Sequence, residues 1–224
     1  MSGVEVINGM SHKDVFIHTL QVVDNAAKLS SKMEIRFAAL VHDIAKPPTK
    51  KFDAIKGWSY HGHEELGRRM LKAVASRMKI SNHLKEYLMN LTKLHLRPIA
   101  LAKKNITDSA IRRLIFDAGD NIDDLMILCR ADITTKNQFK IKKYLSNFER
   151  VEKAMQNVKL QDELKNFQPP IGGKEIMEKF NLKAGKEVGL IKNSIKDAIL
   201  DGKIKNNYDD AYQFMLSIKD DFIK

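Results

Sequence analysis

The sequence predicts an all-α fold, and three observations predict it. Apolar residues recur at spacings of three and four along most of the chain, as in Phe16, Leu20, Val23 and Ala27, the period of a helix with one buried face. Five Pro and eleven Gly in 224 residues are too few for the many tight turns of a strand-rich sandwich. The prolines also stand where the periodicity stops, at Pro47-Pro48, Pro98 and Pro169-Pro170, and proline cannot continue a helix through its interior.

Taken in order, Ser11 followed three residues later by Asp14 resembles a capping box that opens a helix over 13–29, with Phe16, Leu20, Val23 and Ala27 inward and His18 between them. A second helix, 33–46, carries Ile35, Phe37, Ala38 and Val41 and must stop at Pro47-Pro48. His42 and Asp43 then fall on its last full turn. PPTKKFDAIKGWSY, 47–60, reads as a loop, and loops of that length often cover a site. HGHEELGRRMLKAVASRM begins a third helix, and Ser81 caps a fourth, 82–96, that ends at His95-Leu-Arg-Pro98. Thr107 caps a helix reaching Gly119, and another from Ile122 holds Leu125, Leu128, Cys129 and Asp132. A long lysine-rich amphipathic helix runs from Asn137 to about Phe167. Beyond Pro169-Pro170, IGGKEIMEKFNL, AGKEVGLIKNSIKDAILDGKI and NNYDDAYQFMLSIKDDFI read as three short helices with Gly or Asn punctuation. The expected organisation is a main domain over 1–166 and a small helical tail over 167–224, with no internal repeat.

Hydrophobic residues make up 43% and charged residues 30%, which suits a helical globular domain. No apolar run approaches the ~18 residues of a membrane span, and MSGVEVINGMSHKD lacks a basic segment leading into an apolar one. The expectation is a cytoplasmic protein with no membrane association. The one cysteine, Cys129 in LMILCRAD, is expected to be a buried inert thiol. A net charge of +11 and a pI near 9.6 point to phosphate-rich partners. The lysines are densest in KNQFKIKKY and KAGKEVGLIKNSIKD.

The seven histidines separate by setting. His12 and His83 lie beside cap residues, and His61 opens a helix. His18, His42, His63 and His95 each come from a different helix, near an end or on an apolar face. One such histidine is most often a core residue satisfied by a carbonyl, and the His42–Asp43 dipeptide alone carries little weight. The companions matter more. Asp43 and Asp132 share the apolar company, and an unpaired buried carboxylate costs several kcal/mol, so these groups call for a cation.

The order His18, His42–Asp43, His63, His95, Asp132 resembles the HD superfamily of metal-dependent phosphohydrolases. The resemblance implies helices gathered around one or two divalent metals. A first ion would take His18, His42, Asp43 and Asp132. A second would take Asp43 as a bridge with His63 and His95, and Gly67, four residues after His63, fits the family pattern. Imidazole mixed with carboxylate suits Mn, Fe, Co, Ni or Zn better than Mg alone. His42, Asp43 and Lys46 are the catalytic candidates, and Lys46 and Arg97 are the candidates to touch a substrate phosphate. Lys46 could equally complement a helix C-terminus, and Arg97 is open to the same two readings. Glu64 or Lys46 is a candidate partner of the ligands. Arg68-Arg69 and Arg112-Arg113 read as solvated faces.

Longer segments carry a closer resemblance. SHKDVFIHTLQVVDN, RFAALVHDIAKPPTKKFD, GWSYHGHEELG, LHLRPIAL, ITDSAIRRLIFDAGDNIDDLMILCRADITTKN, NFQPPIGGKEIM and AGKEVGLIKNSIKDAILDGKI look like the C-terminal portion of bacterial CCA-adding tRNA nucleotidyltransferases with an HD domain, in the form found among Bacteroidetes. That family polymerises with an N-terminal head whose Gly-Ser element and Asp-x-Asp pair hold Mg²⁺ and nucleotide. Neither motif occurs in this chain. The expectation is therefore the HD and tail part of a longer protein, which by itself does not add CCA. It would hydrolyse phosphomonoesters or 2′,3′-cyclic phosphodiesters, plausibly at RNA ends, with tRNA or a phosphate-containing small molecule as partner. The alternative is a non-catalytic tRNA-binding module with a vestigial metal site.

Overall fold

A computed structural model describes residues 2–103, 107–162 and 169–222. The chain is all-α: thirteen helices and two small antiparallel hairpins are present among the described residues. No helix among them is long and apolar enough to cross a membrane. The chain packs as two compact units, residues 1–106 with 117–154, and residues 107–116 with 155–224.

The first unit opens with the hairpin β1 (Val6–Ile7) and β2 (Met10–Ser11), followed by α1 (Val15–Leu29), α2 (Met33–Val41) and α3 (Lys46–Thr49). A second hairpin, β3 (Lys51–Asp53) and β4 (Gly57–Ser59), precedes α4 (His63–Met78), α5 (Asn82–Leu94) and α6 (Arg97–Lys103). Next come α7 (Asp108–Ala118), a 3₁₀ turn over 119–121, α8 (Ile122–Ala131) and α9 (Gln138–Asp162). α7 and α9 contribute residues to both units. α1, α2, α5 and α8 enclose the core, where Val22, Ala26, Ile35, Ala38, Leu91, Leu125 and Leu128 are fully buried.

Gly67 lets α4 approach Thr92 of α5 closely. A Cβ built there would stand 3.0 Å from Thr92 Cγ2, tighter than ordinary van der Waals contact, and 3.5 Å from Ile44 Cγ2. Gly67→Val is expected to cost about 1–3 kcal/mol by overpacking. Thermal denaturation should read this as a melting point lower by several degrees, at roughly 2–4 °C per kcal/mol.

In the second unit, α10 (Gly173–Phe180), α11 (Lys186–Leu200), α12 (Tyr208–Ser217) and the short α13 (Lys219–Phe222) follow the proline pair. They bury Ile171, Ile176, Ile191, Ile195 and Met215. Arg113 reaches Asp201 at 2.7 Å and Asp197 at 3.4 Å within this unit.

Several expectations need correction. α1 buries Val15, His18, Thr19, Val22 and Ala26, whereas Phe16 and Leu20 are 46% and 42% exposed. The two stripes run side by side on the helix, and hydrophobicity favours the wrong one because the buried stripe carries the polar His18 and Thr19. Ser11 lies in β2, and the cap is Asp14, whose Oδ1 accepts from the amides of Phe16 and Ile17 at 2.9 and 3.0 Å. α2 ends at Val41, short of 46. The chain tightens there through i+3 bonds, Ile44 N to Val41 O and Lys46 N to Asp43 O, and Pro47-Pro48 stand in the first turn of α3 instead of ending α2. That use of proline in a first turn costs no helical hydrogen bond.

The loop expected over 47–60 contains α3 and the β3–β4 hairpin, closed by Asp53 Oδ1 accepting from Ile55 and Lys56 amides and by Gly57 at φ +75°. α6 starts at Arg97 with Pro98 in its first turn, where a break was expected. β1–β2 was legible but not anticipated: Asn8 and Gly9 both have positive φ, as an Asn-Gly hairpin turn requires. Ser81 caps α5, its hydroxyl accepting from Leu84 N, and Thr107 accepts from Ala110 N, both as expected. The expected end of α9 near Phe167 lies outside the described residues.

Candidate metal centre

Helix ends build the centre. His42, His95 and Asp132 are the C-terminal caps of α2, α5 and α8, where unpaired carbonyls place partial negative charge and favour a cation. His63 is the first residue of α4, after Gly62 in the left-handed region at φ +79°. His18 lies in the first turn of α1. Asp43 sits in the tight turn after α2. The side chains of His42 and Asp43 are each 1% exposed and that of Asp132 is 21% exposed.

Three imidazoles are aimed by the backbone. His42 Nδ1 lies 2.8 Å from Ala39 O, His63 Nδ1 2.7 Å from Tyr60 O, and His95 Nδ1 2.7 Å from Thr92 O. A carbonyl only accepts, so each Nδ1 carries a hydrogen and each Nε2 faces the centre, where it ligates once it bears no proton. For His42 and His95 the acceptor is one of the carbonyls that the helix end leaves unpaired. The same contact thus finishes the helix and orients the ring.

The Nε2 atoms converge on carboxylates. His18 Nε2 is 2.9 Å from Asp132 Oδ1 and 3.4 Å from Asp43 Oδ2. His42 Nε2 is 3.2 Å from Asp43 Oδ2 and 3.7 Å from Asp132 Oδ1. On the other side, Asp43 Oδ1 is 3.3 Å from His63 Nε2 and 3.8 Å from His95 Nε2. The two oxygens of Asp43 therefore face different pairs of imidazoles. Two groups, His18 with His42 and Asp132, and His42 with Asp43 and His95, have ligand atoms close enough to share an ion.

Charge and hydrogen bonding remain unbalanced around this centre. His42 Nε2 and both oxygens of Asp43 are buried without a hydrogen bond of acceptable geometry among the described residues. His63 Nε2 and His95 Nε2 stand 3.2 Å apart, and two lone pairs at that distance need a proton or a cation between them. Burial pulls His42 toward the neutral form, but the Asp43 and Asp132 carboxylates overcome it and raise its pKa to about 10. Burial, with repulsion from His42, pushes His95 down to about 4. Burial also works against the charge of Asp43 and of Asp132, yet the surrounding histidines hold both well below the usual carboxylate range. A donor set of imidazoles and carboxylates with orphaned buried lone pairs fits a divalent transition-metal ion.

Lys46 reaches the centre, its Nζ 2.5 Å from Asp43 Oδ2. Arg97 instead pairs with Asp117. Glu64 Oε2 lies 3.7 Å from His63 Nδ1, whose hydrogen is already given to Tyr60 O. His12 holds the amide of Glu5 and lies 2.7 Å from Lys50 Nζ, while His61 and His83 are exposed. The Cys129 thiol is buried, donates to His95 O at 3.1 Å and is pushed up by burial, an inert setting.

Sequence reasoning missed the supporting residues. Asn25 donates to Ala131 O at 2.9 Å and thereby fixes the backbone beside Asp132. Thr134 Oγ1 lies 3.0 Å from His18 Nδ1. Only the nearness of Thr134 to Asp132 in ADITTKN hints at such a role. A cavity of about 500 Å³ opens over the centre between the hairpins, lined by Lys13, His18, Lys46, Trp58, Tyr60 and Asp132.

Residues 15–137 match the model of the HD domain. The chain is 28% identical over 213 residues to a CC-adding tRNA nucleotidyltransferase of Thermus thermophilus, covering 93% of this chain and 46% of that protein. It is 31% identical over 123 residues to a multifunctional CCA protein of Vibrio parahaemolyticus, 53% of this chain and 29% of that protein. A multifunctional CCA protein of Legionella pneumophila is similarly 31% identical over 128 residues. The chain thus spans about half the length, or less, of these relatives. Since the match at 15–137 takes in more than half of the chain and all six converging side chains, the chain belongs to the HD domain family.

Proposed function

We propose that the centre holds one or two divalent ions and that the chain hydrolyses phosphomonoesters or 2′,3′-cyclic phosphodiesters, with RNA ends as the favoured substrates. The observation that carries this reading is Asp43, a buried carboxylate beside Lys46 Nζ whose two oxygens face separate pairs of imidazoles without a well-formed hydrogen bond to any of them. One half of the centre would use His18, His42, Asp43 and Asp132, and the other would use Asp43, His63 and His95. Bound divalent ions would supply Lewis-acid activation of water and neutralisation of charge on the phosphoryl group. Mn, Fe, Co, Ni or Zn suit the donors better than Mg.

The chain's own residues do the rest. The carbonyls of Ala39, Tyr60 and Thr92 keep the lone pairs of three imidazoles pointed inward. Lys46, which lines the cavity, offers an ammonium to a phosphoryl oxygen, and its Nζ lies over the Tyr60 ring 5.7 Å from the centroid. Arg97 would take part only by leaving Asp117. Lys46→Ala is expected to lower kcat/KM by about 10–100-fold, the value of one charge-assisted hydrogen bond, with metal content unchanged. The reading is tested by metal-stimulated hydrolysis of a panel of phosphomonoesters and cyclic phosphodiesters with wild type and His42→Ala. No metal-dependent turnover on any of them removes it.

The charge of +11 and an alignment that continues past the HD match to 93% of the chain support a second role. The chain would form the HD and tail part of a tRNA nucleotidyltransferase and grip tRNA beside an N-terminal nucleotidyltransferase head. RNA helices are held through backbone and shape, for which lysine-lined surfaces suffice. In the non-catalytic version of this reading the metal site is vestigial. Binding of tRNA should then weaken steeply as salt rises, and affinity indifferent to salt would remove it.

A further inference from the structure

His18 differs from the other three imidazoles in what holds it. Its Nδ1 meets a side chain, the Thr134 hydroxyl at 3.0 Å, where the others meet backbone carbonyls. Lys13 Nζ also reaches Thr134 Oγ1, at 3.2 Å, and an ammonium can only donate. The contact is part of a reciprocal brace between α1 and the segment after α8. Asn25 of α1 donates to Ala131 O at 2.9 Å and approaches Ile133 O at 3.4 Å. Thr134 then returns to His18 of α1, and His18 Nε2 lies 2.9 Å from Asp132 Oδ1.

We propose that Thr134 is the positioning residue of the His18 half of the centre, accepting Nδ1–H of His18 so that Nε2 faces a divalent ion shared with His42 and Asp132. The inference rests on the metal reading above and adds to it a division of labour. A carbonyl fixes one tautomer absolutely, whereas a hydroxyl can donate or accept. His18 is therefore the ligand whose ring can adapt, and it depends on one replaceable side chain. His63 and His95 do not share that dependence, because Tyr60 O and Thr92 O hold them.

The test is a zinc titration of the metal-free chain, followed by long-range ¹H–¹⁵N correlation of each imidazole, for wild type, Thr134→Val and Thr134→Ser. Outer partners of metal ligands typically govern affinity by about 10–100-fold. The His18 response in Thr134→Val should therefore need about 10–100-fold more zinc than in wild type, while His63 and His95 respond at unchanged concentration. Thr134→Ser should restore the wild-type midpoint. Thr135→Val, whose hydroxyl serves the Asn137 amide, should leave every midpoint where it is. An unchanged His18 midpoint in Thr134→Val overturns the inference, as does an equal weakening at all four rings, which signals general loosening. A wild type in which no imidazole responds to zinc overturns the metal reading instead. In that case the metal-free spectra still decide on Thr134, because a His18 nitrogen pattern identical in wild type and Thr134→Val excludes its control of the ring.

Discussion

Asp43→Asn is expected to empty both halves of the centre and to lower metal-dependent hydrolysis by about 10³-fold or more, several kcal/mol of transition-state stabilisation. Asparagine preserves the volume and removes the charge. Among the described residues no other side chain faces both pairs of imidazoles, with Oδ2 toward His18 and His42 and Oδ1 toward His63 and His95. In the metal-free protein the same carboxylate balances Lys46 and His42. Its loss leaves buried positive charge uncompensated, at a cost of about 3–5 kcal/mol. His63→Ala touches one half only and should leave the other occupied. Elemental analysis of both variants, purified without chelator, checks the contrast. Full metal content in Asp43→Asn would rule out the bridging role.

Loading the centre should expel protons. With its pKa raised to about 10 in the metal-free state, His42 carries a proton at pH 7 that its Nε2 must lose to ligate. At least one proton should leave for each ion entering that half, and apparent affinity should rise at least tenfold per pH unit from about 6.5 upward until His42 is neutral. His18 is raised as well, against its burial, by Asp132 and Asp43, and adds to the release where it is still protonated. Calorimetric titrations in buffers of different ionisation heat read the proton directly. Heats independent of buffer would contradict ligation by His42.

Stability of the metal-free chain follows from the same shifts. The raised pKa of His42 stabilises fully below about pH 6.5, its unfolded value, and that contribution is lost as pH climbs toward about 10. His95, depressed to about 4, contributes above about 6.5 and loses its contribution as pH falls toward 4. Asp43 and Asp132 are depressed too, so they contribute above about pH 3.9 and fail in stronger acid. Metal-free stability should therefore peak near pH 6–7.

Much of the helical frame was legible because its signals are local. Ser81 and Thr107 announce helix starts, and a hydroxyl ahead of an apolar repeat needs only the next turn of chain to act as a cap. The histidines and aspartates stood out for a similar reason: polar groups in apolar stretches need partners. Phe16 and Leu20 misled because helical period defines a stripe without saying which stripe meets the core. Pro47-Pro48 misled because proline is compatible with a first turn as well as with a break.

The sequence by itself determined the helical class, the positive charge and the set of six ionisable groups from which a cation site could be built. Only the tertiary structure decided that α2 stops at Val41, that Asp43 divides its oxygens between two pairs of rings, and that Thr134 lies against His18 across 116 residues of chain. The reason is range. Periodicity and capping act over one or two turns, whereas the direction of an imidazole lone pair depends on which carbonyl or hydroxyl packing brings to its other nitrogen.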